Sequence, residues 1–210
     1  MSLNETKNHD AIGDNICKAV SVVYQTYENL NRFFGELDNV GAKEGFVPLV
    51  PRFIRWKSDA DPGGWAISSF IKPFQLAKDP ILKNGSEMRN GPIYVVEALL
   101  SDESKKYVGR KPVPQITLGK FTFDFENRPW TTISVSDHWF FYYPTRMQDK
   151  FDIEQSGENW ISKPKNEKVT HDYWGLKNVV WKSIDLVPVN SREMIKKSVF
   201  DELLSFPEVK

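Results

Sequence analysis

The chain has 210 residues, 40% of them hydrophobic, and its 28 basic and 28 acidic side chains cancel. That size and composition suit one large globular domain and not a disordered chain. The balanced charge gives no global field for a phosphate backbone, so nucleic acid is not an expected partner. A single cysteine, Cys17, excludes an internal disulfide and a thiolate-built zinc site, and no run approaches the ~18 apolar residues that cross a bilayer.

Residues 1–10 are polar, without a basic end leading into an apolar stretch, so no secretory signal is read and the expected compartment is the cytoplasm. They read as a frayed tail, followed by one domain over 11–210. Its clearest signal comes first. Ile16, Val20, Val23, Tyr27, Leu30, Phe34 and Leu37 recur every three or four residues, which predicts a helix from about Asp14 to Val40 with one apolar stripe. Asp10 or Asp14 can cap its start and Gly41 or Gly45 its end. Ala19, Phe33 and Val40 widen the stripe where a two-stranded coil would carry paired charges, so the helix is expected to lie across a sheet.

Strand character begins at Phe46. Arg52-Phe-Ile-Arg-Trp-Lys57 is rich in aromatic and branched residues, with Asp61-Pro-Gly-Gly64 as the following turn and Asn84-Gly85 as a later one. Ile93–Leu100 is nearly all apolar and predicts a central strand. In Ile116–Phe125, Phe121, Phe123 and Phe125 alternate with Lys120, Thr122 and Asp124, which predicts a strand with one wet face. Thr131–Val135 and His138–Tyr143 read as two further strands, Met147–Thr170 as irregular, and Asn178–Val189 as strand again. A helix opens at Asn190 with Glu193 as reciprocal cap, and Pro207 closes it. The expected fold is α+β: a mainly antiparallel sheet of about five to seven strands covered by the long N-terminal helix and a C-terminal helix.

No phosphate-cradling loop, dinucleotide fingerprint, serine elbow or helical zinc-binding histidine pair is present. What remains are isolated signals. Glu97 places a charge inside an apolar strand, where it must be paired, protonated or facing a cleft. His138 adjoins Asp137, and His171 adjoins Asp172. These pairs, with Glu97, are the candidates for acid–base work, and Asp137, His138, His171 and Asp172 are the candidates for metal ligation. The aromatic runs Trp139-Phe-Phe-Tyr-Tyr143 and Tyr173-Trp174 are too apolar for a wet surface.

As a strand, the first of these runs would put Trp139, Phe141 and Tyr143 on one face, near His138 and His171. Together with Tyr173, Trp174, Arg52, Arg55 and Trp56 they are the candidate ligand-binding residues, walling an aromatic cleft. Lys105, Lys106, Arg110 and Lys111 around Tyr107 form a second mixture of cations and rings, which equally describes a charge-protected edge.

The expected function is a ligand- or partner-binding regulatory module with that cleft, for a small molecule or protein of unspecified identity. One alternative is a metal-assisted hydrolase using the cleft's Asp, His and Glu residues; another is an assembly protein that dimerises through the long helix. No cofactor is implied, no membrane is expected, and the chain is read as a monomer or homodimer.

Overall fold

A computed structural model describes residues 3–60, 64–83, 86–128 and 130–209, with side chains from Ala11 onward. Residues 1 and 2 and the side chains of residues 3–10, His9 among them, lie outside the described residues, as do residues of the turns expected at 61–64 and 84–85; from residue 3 on, the backbone expected as a frayed tail belongs to the N-terminal helix.

Seven strands make one sheet: β1 (Phe46–Pro48), β2 (Ser69–Leu76), β3 (Ile93–Leu99), β4 (Gln115–Phe123), β5 (Phe151–Ser156), β6 (Asn159–Pro164) and β7 (Leu176–Asp185). The order is β1-β2-β3-β4-β7-β6-β5, and every neighbouring pair is antiparallel. The α+β architecture expected from the sequence is the one observed.

Helix α1 (Leu3–Lys43) lies on one face of the sheet. It ends where Gly45 takes the left-handed conformation (φ 82°), with Glu44 N donating to Val40 O, as an L residue with a Cβ would resist. The C-terminal segment joins it there: α4 (Arg192–Ile195), a π-helical turn Lys196–Phe200, and α5 (Asp201–Ser205). Ser191 caps it by accepting from Met194 N at 3.2 Å. Alternate strand residues Phe70, Phe74, Tyr94, Val96, Ala98, Ile116, Leu118 and Val180 pack against Leu30, Phe34, Leu37, Val199, Phe200 and Leu203.

The opposite face is covered too. Helix α2 (His138–Tyr142), flanked by 3₁₀ turns Val135–Asp137 and Tyr143–Thr145, and helix α3 (Glu167–Asp172) close over it. Ile71, Ile93, Val95, Phe121, Phe123, Val179 and Trp181 meet Trp130, Phe140, Phe141, Phe151 and Tyr173 there. Thr131–Val135, expected as a strand, forms none, and three further expectations change.

First, His138–Tyr143 is helix, not strand. Every position in the run is bulky, so neither a two-residue nor a 3.6-residue period could show in it. Second, β5 and β6 run through the segment read as irregular. They form the sheet's outer hairpin, largely solvated, and lack the apolar alternation that marks a strand. Third, β4 has no wet face. Lys120 is 4% exposed, and its Nζ lies 2.5 Å from Glu208 Oε1 under the C-terminal segment. Lys72 of β2 is treated alike: fully buried, it meets Asp38 of α1 at 2.9 Å. Burial pushes its ammonium below the usual lysine range, and the Asp38 carboxylate acts the other way.

The α1 stripe is divided. Leu30, Phe34 and Leu37 are 5%, 3% and 0% exposed, whereas Ile16, Val20 and Val23 are 60%, 47% and 44% exposed. Helix and sheet part company near Tyr27, whose hydroxyl donates to Ile67 O at 3.0 Å. Stability should follow that division. Leu37→Ala is expected to cost about 3 kcal/mol in urea unfolding, the range for a buried leucine that leaves a cavity. Val22→Ala, on the exposed half (60%), should stay within about 0.5 kcal/mol of the parent.

Candidate functional site

Register builds the site's floor. On the face of the sheet away from α1, Glu97 of β3 lies directly opposite Thr117 of β4, and Thr117 opposite Ser183 of β7. Ser69 starts β2 on the same face, because Ile71 is opposite Glu97 and side chains two residues apart share a face. A row of polar side chains thus crosses four strands at one end of an otherwise aromatic layer.

Burial forces this row to find partners. Glu97 is 2% exposed. It accepts from Arg146 Nη2 at 2.9 and 3.1 Å and from Ser69 Oγ at 2.6 Å. Arg146, 2% exposed, also donates from Nε to Glu103 Oε2 at 2.8 Å and from Nη1 to Tyr142 O at 2.9 Å, and its guanidinium lies 3.7 Å over the Tyr142 ring. Tyr142 donates to Glu103 Oε1 at 2.5 Å. Arg110 donates to Thr117 and Ser183 at 2.6 and 2.5 Å and to Thr145 at 3.0 Å, 5.0 Å over the Trp181 ring.

Two guanidinium groups therefore face two carboxylates, and the network is neutral. Burial raises the Glu97 carboxyl, but the Arg146 and Arg110 charges and the Ser69 hydroxyl outweigh it and hold the group below its ordinary value. Burial lowers Arg110 to about 10 and raises the Tyr142 phenol.

His138, 6% exposed, stacks on Tyr142 one turn later, with ring centroids 5.2 Å apart. Its Nε2 is 3.1 Å from Ser69 Oγ. Ser69 has one proton and gives it to Glu97, so the hydrogen bond with His138 requires Nε2 to be the protonated nitrogen and Nδ1 the free acceptor. Burial pushes the imidazole down to about 4, against the pull of Glu97. The order is histidine to serine to carboxylate, not the serine–histidine–carboxylate order of an activated nucleophile. The imidazole cannot take the serine proton because the facing nitrogen already carries one. The arrangement fixes β2, β3 and α2 relative to one another and leaves the hydroxyl unactivated.

Above this floor opens a cleft of about 710 Å³. Its walls are Arg55, Trp56 and Lys57 before β2; Ser101, Asp102, Lys106 and Tyr107 from the β3–β4 connection; and Val135, Trp139, Tyr142 and Tyr143 around α2. Trp56, Trp139 and Tyr143 are 52%, 37% and 37% exposed, so part of each side chain is accessible to a ligand even though Trp139 stacks on Phe140 at 3.9 Å. Arg55, Lys57 and Lys106 put three cations on the walls, Lys57 3.7 Å from Asp59, against one lining carboxylate outside the floor network, Asp102, which accepts from Ser104 N and Oγ at 3.0 and 2.5 Å.

Of the candidates named from sequence, Arg55, Trp56, His138, Trp139 and Tyr143 line this cleft, with Glu97 beneath it. Trp139 and Tyr143 come together because four residues is the neighbour spacing of a helix, and Phe141 turns instead into the core at 2% exposure. Tyr173 is also buried (1%) and braces Trp139 edge-on at 5.1 Å from behind the wall. Trp174 takes a left-handed backbone (φ 57°) at the end of α3, its ring 6.2 Å from Trp130. Asp137 accepts from Ser134 N at 2.6 Å and closes the turn before α2.

Arg52, His171 and Asp172 do not line the cleft; the His171 and Asp172 side chains lie 3.8 Å apart and are largely exposed. Among the described residues no three His, Cys, Asp or Glu side chains converge as metal ligands would. The sequence reasoning missed Ser69, Glu103, Tyr142 and Arg146. The one available signal for Arg146 was Glu97 itself, since a buried carboxylate demands a cation from elsewhere in the chain. Comparison with protein-family models, curated proteins and solved structures finds no match.

Two outcomes test the network. Arg146→Met leaves Glu97 and Glu103 buried beside one cation, and should cost about 3–5 kcal/mol by urea unfolding; adding Glu97→Gln should recover part of that. His138 gives a pH signature. Its folded value lies below its unfolded value, so its contribution is complete above about pH 6.5 and is lost as the pH falls towards 4. The loss should reach about 3 kcal/mol, read as the difference between the parent and His138→Gln in unfolding at pH 7.5, 5.5 and 4.5.

Proposed function

We propose that this chain is a binding or regulatory module whose cleft takes a planar ring carrying negative charge, and that it works in the cytoplasm, where an unpaired thiol such as Cys17 is ordinary. The observation that carries this reading is the division of labour between floor and walls. The floor's four charges are spent on one another, so a ligand's charge must be met by Arg55, Lys57 and Lys106. Its flat surface must be met by Trp56, Trp139 and Tyr143.

Stacking and cation contacts of this kind contribute about 0.5–1.5 kcal/mol each, and together they support binding in the micromolar range. His138 lines the cleft, and with its Nδ1 as the unprotonated nitrogen it favours a ligand that can donate a hydrogen bond. The fixed histidine–serine–carboxylate order, which leaves the Ser69 hydroxyl unactivated, favours binding over turnover.

The test uses 8-anilinonaphthalene-1-sulfonate, a planar aromatic anion with an N–H donor. Saturable quenching of tryptophan fluorescence is expected, weakened at least tenfold by Trp139→Ala and by Lys57→Glu combined with Lys106→Glu. The uncharged parent ring system should bind more weakly. Equal binding by the parent protein and both variants would place the probe elsewhere and refute this assignment.

A further inference from the structure

We infer that the exposed front half of α1 pairs with the same segment of a second copy of this chain, antiparallel and about a two-fold axis near Lys18. Ile12, Ile16, Val20, Val23 and Tyr24 lie on one side of the helix and are 44–67% exposed. They continue the stripe that, after Tyr27, fills the core with Leu30, Phe34 and Leu37. Five such side chains leave on the order of 500 Å² of contiguous apolar surface, as large as the largest patch on a typical monomer. Doubled by symmetry they offer on the order of 1,000 Å², close to the ~1,200 Å² at which specific interfaces become stable.

Three features select a second copy and its orientation. The other positions flanking the stripe are Cys17, Ala19 and Thr26. None is charged, so nothing there selects an unlike helix or repels a like one. The sheet excludes a parallel pair. With both helices pointing the same way, the partner's helix beyond Tyr27 would need the space in which β2 already packs on Leu30 and Phe34.

An antiparallel pair instead sends the two sheets to opposite ends. It sets Ile16 of each copy against Val20 of the other, in the reciprocal contact that two-fold symmetry requires. The third feature is a groove of about 690 Å³ beside α1, between Phe33 and the exposed loop at Leu186 and Val187. Val187 is 74% exposed. The groove begins at Thr26, where the leading end of the partner helix would arrive.

Sedimentation velocity at tens of micromolar should give a dimer. Ile16→Asp combined with Val20→Asp should give a monomer with an unchanged near-ultraviolet spectrum, because neither side chain is in the core. A nitroxide on Cys17, the chain's one cysteine, sits next to the axis and should report a short distance to its mate, under about 25 Å. A nitroxide on Glu28→Cys in a Cys17→Ser background, ten residues from the axis, should report at least about 30 Å at 1.5 Å rise per residue.

A monomeric parent protein overturns the inference, whatever else the stripe then binds. So does a dimer that survives the aspartates. A short distance at position 28 would mean a parallel pair and overturns it equally.

Discussion

A carboxylate in the third strand of a sheet covered on both faces sets the terms for one whole side of this molecule. Glu97 could not be buried there alone, because an unpaired charge in that position costs several kcal/mol. Its needs bring in Arg146 from the turn after α2, and Arg146 in turn brings Glu103, Tyr142 and Arg110. Three segments far apart in sequence are thereby fixed on one end of the sheet: the β3–β4 connection, α2, and the start of β2 through Ser69. The cleft is the space left between them. Its position follows from the ion network, and its walls are the aromatic residues that those same segments present outward.

The other face obeys a different constraint. There the apolar residues of β2, β3 and β4 need cover, and α1 supplies it only as far as the sheet extends. A helix of 41 residues is roughly 60 Å long, far longer than the width of the strands it crosses. The excess carries the same stripe as the covered part. A sequence selected only to roof this sheet would have no use for isoleucine and valine on that side of the overhang, since an exposed β-branched residue has neither packing nor helix propensity in its favour.

How far the sequence was legible depends on where periodicity carries information. Leu30, Phe34 and Leu37 repeat at the helical period and their burial was readable. Ile16, Val20 and Val23 repeat at the same period, and nothing in the pattern says where the sheet stops. Phe121 and Phe123 alternate and their burial was readable, but the face they share is the one turned away from α1. Lys120 misled because a buried lysine with a carboxylate partner has the same spelling as a solvated one.

The run from Trp139 to Tyr143 carries no period at all, so its helix was invisible, and with it the pairing of Trp139 with Tyr143. The polar hairpin at 151–164 was missed for the opposite reason, having too few apolar residues to alternate. Glu97 was the most informative letter in the chain. It violates the pattern around it, and the violation marked the center of the network that places the cleft.

That network also constrains what kind of site the cleft can be. A polar network at this position stabilises the fold no better than well-packed apolar side chains would, yet it ends the aromatic layer abruptly. Phe121, Phe123, Phe141 and Trp181 fill the face up to Thr117 and Ser183, and beyond that row the covering segments bind the sheet by directed bonds that leave open volume above them. Because the charges cancel, the floor exerts little net field, and whatever enters must find its charge partners among the side chains at the walls. Residues that hold the fold and residues that would meet a ligand are thereby separated. Lys57, Lys106 and Trp139 can change without unpairing a buried charge, whereas Arg146 and Glu97 cannot.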